Sequence, residues 1–172
     1  MHPSGDELAG VVDLFGALGR PQLRRAVEEA AFRAGREVDR DALDAAIDDA
    51  VESYRLVAYD PPGTDAEPHT ETRTDSEIDG TLLAVGPTAF PTLPEAGEDL
   101  PHIMDVEPRD PKREALADAV TRRFRAETAR AVDEGDREQI ALLLDVSYDL
   151  ETWGPVDLSE MRDRLDDVLA DG

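Results

Sequence analysis

Cysteine is absent from this 172-residue chain, which excludes disulfides, thiolate metal sites and cysteine nucleophiles. Lysine is nearly absent: Lys112 is the only one, and every other basic side chain is an arginine. Aromatic residues make up 5%, so Leu, Val and Ala must fill any core. No stretch approaches the roughly 18 apolar residues needed to cross a bilayer. The opening segment Met1-His2-Pro3-Ser4-Gly5-Asp6-Glu7 has neither the cationic region nor the apolar run of a secretory leader. Gly-rich phosphate loops and a Gly-x-Ser-x-Gly turn are missing as well. No catalytic residue, cofactor-binding residue or cofactor is therefore nominated.

What the chain has in excess is acid, with 41 Asp and Glu against 18 basic residues and a formal charge of -23. A globular protein of this mass exposes roughly 8,300 Å², which spaces its charged side chains about 12 Å apart. The Debye length is about 10 Å at 0.1 M salt and about 3 Å at 1 M. Neighbouring charges thus repel in ordinary buffer and scarcely feel one another in brine. The acids are interleaved with apolar positions along the whole chain rather than gathered in a tail. This pattern predicts a soluble, cytoplasmic protein built for molar salt.

The hydrophobic spacing predicts a mainly α fold with a small β-ribbon. Ser4 and Glu7 have the spacing of a capping box, and Leu8, Val11, Val12, Phe15 and Leu18 recur at helical period, giving a first helix over 6–18. Gly10 and Gly16 weaken it and suit a close helix contact. Pro21 opens a second helix with Leu23, Val27, Ala30, Ala31 and Ala34 on one face, closed by Gly35. Asp39 caps a third, carrying Leu43, Ile47, Ala50, Val51 and Tyr54. The pattern then turns strand-like over 54–59, and again over 81–85. Three helices followed by a two-stranded ribbon is the order of a winged helix-turn-helix, expected over 1–85. The acidic stretch 60–80 between the strands has almost no apolar residue except Ile78 and reads as a disordered loop, an overgrown wing.

Five prolines between Gly86 and Asp110 exclude a long helix and predict an extended connector over 86–110. Phe90, Leu93, Leu100, Ile103 and Met104 make it apolar enough to pack on the body. Three further helices are expected over 111–172. The first runs to about Glu134 with Leu116, Val120 and Phe124 buried. The next is capped at Gly135-Asp136 and carries Ile140, Leu143 and Leu144. The last starts at Asp157 and Glu160 and carries Leu158, Met161, Leu165, Val168 and Leu169.

The runs Asp6-Glu7-Leu8-Ala9-Gly10-Val11-Val12-Asp13-Leu14-Phe15, Gly86-Pro87-Thr88-Ala89-Phe90-Pro91-Thr92-Leu93-Pro94 and Leu100 to Asp110 resemble an uncharacterised family of small haloarchaeal proteins. The likeness spans nearly the whole chain and implies a saline habitat. It brings no activity and no site residues.

Candidate chemistry is thin. As a DNA reader, the third helix would present Asp41, Asp44, Ala45, Asp48, Asp49 and Glu52, the wrong sign for phosphate. The loop acids Asp65, Glu67, Glu71, Asp75, Glu77 and Asp79 would oppose the backbone too. Arginines gather at Arg24, Arg25 and Arg33 and at Arg122, Arg123, Arg125 and Arg130. However, Glu29 is four residues from Arg25 and Arg33, and Asp118 is four before Arg122, spacings that suit intrahelical pairs. His102 with Asp99, Asp105 and Glu107 could be drawn as a metal site, but no predicted helix aligns them, so no metal is assigned. His2 and His69 fall in segments without periodicity. Ser4, Ser53, Ser76, Ser147 and Ser159 occupy caps, turns and ordinary helix positions. Trp153 and nearby Tyr148 read as packing anchors. The residues point to a non-catalytic interaction or regulatory module whose partner is another protein rather than nucleic acid or membrane. A winged-helix DNA-binding regulator is the alternative, and a carboxylate- or metal-dependent enzyme the third.

Overall fold

The computed structural model describes residues 2–61 and 80–171. The loop acids, His69, Arg73, Ser76 and Ile78 lie outside the described residues. The chain divides into two units, Met1–Pro111 and Lys112–Gly172.

The first unit holds α1 (Gly5–Phe15), β1 (Ala17–Gly19), α2 (Arg20–Arg33), α3 (Arg40–Glu52), β2 (Leu56–Tyr59) and β3 (Leu82–Val85). The three strands form an antiparallel sheet in the order β1-β3-β2, with Ala17 opposite Ala84 and Val57 also opposite Ala84. The chain is thus mainly helical with a small sheet, as its spacing predicts. The capping box forms: Ser4 N–H donates to Glu7 Oε2 at 2.8 Å and Glu7 N–H to Ser4 Oγ at 3.2 Å. Leu8, Val11, Val12 and Phe15 are fully buried against Leu23, Leu43, Ile47 and Leu56.

Two expectations need correction. The first helix stops at Phe15 and not at residue 18, because Gly16 turns the chain at φ +74°. Ala17, Leu18 and Gly19 then leave the helix to pair with β3, making the ribbon three-stranded. A side chain at Gly16 would be strained at that φ and would also overlap the carbonyl of Arg109. The second correction concerns the two glycines of the first segment. The element that approaches them is a strap formed by residues 86–111 rather than another helix. A Cβ on Gly10 would overlap the backbone of Thr92.

The strap is fastened along its length. Phe90 N–H donates to Asp6 Oδ1 at 3.0 Å, Thr92 N–H to Asp6 O at 3.0 Å, and Arg109 N–H to Phe15 O at 2.7 Å. The Arg109 guanidinium donates to Ala17 O at 2.9 Å and Gln22 Oε1 at 3.3 Å. It is not extended throughout, since a 3₁₀ turn (Gly97–Asp99) leads into the single turn α4 (Leu100–Ile103). Of the five apolar residues singled out in it, Leu100 and Met104 are buried, while Phe90, Leu93 and Ile103 face outward; Ala89 and Val106 pack partly buried against the core.

The second unit packs α5 (Arg113–Glu134), α6 (Arg137–Trp153) and α7 (Ser159–Ala170). Gly135 at φ +66° ends α5, and Asp136 caps α6 by accepting from Gln139 N–H at 3.1 Å. Its core is Leu116, Val120, Phe124, Ile140, Leu143, Leu150, Leu158 and Leu165.

Candidate interaction groove

Three ion pairs join α2 to α3. Arg20 pairs with Asp48, Arg24 with Asp44 at 3.2 Å, and Arg40 with Glu28 at 2.7 Å. The spacing explains the first two: Arg20 and Arg24 lie one turn apart on α2, and Asp44 and Asp48 one turn apart on α3, so two turns meet rung on rung. Each pair is partly exposed and contributes within about 1 kcal/mol. Their larger consequence is electrostatic, because α3 carboxylates neutralise the arginines at the start of α2.

Beside these pairs runs a groove of about 680 Å³. Pro21, Val51, Ala58 and Leu83 supply apolar wall, and Arg20, Arg24, Asp48 and Glu52 line it with charge. The arrangement offers apolar surface within a locally balanced charge frame, which suits a protein segment better than a polyanion. Asp44 departs from the sequence reading. It is half-buried, and its Oδ1 is shielded and has no hydrogen-bond partner among the described residues. Asp41, Ala45, Asp48, Asp49 and Glu52 are exposed as the helical wheel places them.

The other nominated residues do not converge on one site. Arg33 makes the expected pair with Glu29 at 3.2 Å and also reaches Asp99 at 3.6 Å. Arg25 makes no such pair, and the Asp118–Arg122 pair does not form. Arg123 pairs instead with Glu127 at 2.7 Å. His102 is exposed on α4, and among the described residues no three histidine or carboxylate groups come together to hold a metal ion. The serines serve the backbone and its neighbours. Ser53 accepts from Arg55 at 2.9 Å, Ser147 donates to Leu144 O at 2.6 Å, and Ser159 donates to Asp157 at 2.6 Å. Trp153 lies under Arg113 at 4.9 Å and Tyr148 under Arg162 at 4.1 Å.

Arg162 also fixes the α6–α7 turn. It donates to Ser147 Oγ at 3.1 Å and pairs with Glu151, whose other oxygen accepts from Leu158 N–H at 2.8 Å. The Leu158 amide and then the Arg162 guanidinium hold the Glu151 carboxyl below its ordinary range. The Ser159 hydroxyl and amide do the same for Asp157. In the first unit, burial raises the Tyr59 phenol, opposed by the charge of Arg109. These shifts accompany structural contacts, and none falls on a group facing the groove. The signal that sequence reading passed over was the matched four-residue spacing on α2 and α3.

Residues 6–170 match the model of a family of unknown function, DUF7109, and the chain belongs to that family. No curated protein and no solved structure matches it. Among the described residues no helix is long and apolar enough to cross a membrane.

Proposed function

We propose that this chain is a non-catalytic protein-interaction or regulatory module of a halophilic cytosol. Its first unit is a winged helix turned to protein binding, and the groove beside α2 and α3 takes the partner. The observation that carries this reading is the pairing of Arg20 with Asp48 and Arg24 with Asp44. Lys and Arg supply most of the affinity of DNA complexes by neutralising phosphate. Here the arginines of α2 that face α3 are already neutralised, and α3 exposes Asp41, Asp48, Asp49 and Glu52. Screened charge steers partners poorly in brine, so the apolar wall of Pro21, Val51, Ala58 and Leu83 supplies the attraction.

The sheet order β1-β3-β2 after α-β-α-α-β-β favours the alternative, a DNA-binding regulator. That is likeness of fold and not of site. Two measurements separate the readings. A tagged chain isolated from its native cytosol in molar KCl should bring a stoichiometric protein, lost when Ala58 is replaced by a bulky charged residue. Fluorescence anisotropy with a mixed-sequence duplex in the same buffer should show no retention. Tight duplex binding by the parent chain would make the regulator the better reading.

A further inference from the structure

Most arginines among the described residues have a named partner: an acid, a carbonyl or an aromatic ring. Arg122 and Arg125 on α5 have none, although acids outnumber bases across the chain. An acid is even at pairing distance in sequence, Asp118 one turn before Arg122, and the pair does not form. Both arginines line one groove of about 330 Å³ in the second unit, walled by Pro155 and Val156 from the α6–α7 turn. They lie three residues apart and so are neighbours on the helix surface. Thr121 lines the same groove, and its hydroxyl oxygen is shielded from solvent with no hydrogen-bond partner among the described residues. A shielded polar atom left without a partner is uncommon and calls for an explanation such as an ion or ligand.

We propose that this groove binds a small phosphate monoester, with the phosphoryl oxygens accepting from Arg122 and Arg125 and, once the Thr121 side chain rotates its shielded oxygen into the groove, from the Thr121 hydroxyl. Guanidinium groups are the donors best matched to planar or tetrahedral oxyanions, and three donor groups suit the three oxygens of a monoester. The groove also contains Asp118 and Asp157. Asp157 Oδ1 is engaged by the Ser159 amide at 3.0 Å and hydroxyl at 2.6 Å, which leaves Oδ2 to accept. These two carboxylates accept from hydroxyl groups on the organic part of the ester. The volume lies at the small end of ligand sites, about 300–1,000 Å³.

The test uses the full chain in KCl at fixed ionic strength, with inorganic phosphate and glycerol phosphate as probes followed by phosphorus NMR line broadening. Saturable binding is expected, tighter for glycerol phosphate, with succinate failing to displace either. Replacing both Arg122→Gln and Arg125→Gln should weaken binding at least about tenfold. Arg164→Gln, at an exposed α7 arginine also without a partner among the described residues, should leave it unchanged. Thr121→Val separates a binding role from a packing role: it should raise the thermal midpoint of the free protein while weakening phosphate binding. Absence of saturation, equal displacement by succinate, or unchanged affinity in the double variant or in Thr121→Val would overturn the proposal.

Discussion

A methyl group at position 10 would collide with the Thr92 backbone of the strap, so Gly10→Ala reads out whether the strap lies where it does. In an open helix the same change would stabilise by up to about 1 kcal/mol. Here it should destabilise by about 1–3 kcal/mol, the usual range for overpacking, in urea unfolding at high KCl. Gly135 is the counterpart. It sits at φ +66° with nothing near its would-be Cβ, so Gly135→Ala should cost only about 1–2 kcal/mol of left-handed strain. Sequence alone showed Gly10 and Gly16 as weak points of the first helix and could not say that the strap backbone approached them. The approach is tertiary, from residues more than 80 positions away.

At the scale of elements, neutralising Asp44 and Asp48 together to Asn would release Arg20 and Arg24. The double variant should gain duplex retention over the parent, measured by anisotropy at the lowest KCl that keeps the fold. Unchanged retention would mean that the α2 arginines do not face a surface a duplex can reach. The α6–α7 turn yields a pH prediction. Glu151 and Asp157 titrate below their ordinary values, so the stability they lend is present above about pH 4 and lost as pH falls through their folded values. Arg162→Gln should raise the Glu151 value partway, because the Leu158 amide remains, and a carbon NMR titration of that carboxyl would show it. The helices were legible because caps and apolar period agree at Ser4, Asp39 and Asp136. β1 was not, because Leu18 continues the period of Leu14 and Phe15, and a three-residue strand shows no alternation. The rungs of the α2–α3 ladder were visible as spacings, but only the helix crossing pairs them. The groove of the second unit had no sequence signature beyond its arginines.

For the whole molecule, the decisive quantity is the charge of -23. That figure already counts every arginine, so the ion pairs described above offset none of it, and among the described residues no metal cluster gathers the acids. Discounting those acids as chemistry, and reading the apolar wall beside α2 as the working surface, both rest on their being an adaptation to brine. Thermal unfolding followed by far-UV circular dichroism across KCl tests that claim directly. Screening shortens from about 30 Å at 0.01 M to about 3 Å at 1 M. The midpoint should therefore climb steeply with salt, and cooperative structure should be lost towards the dilute end. A midpoint that stays constant from dilute buffer to molar KCl would contradict the account.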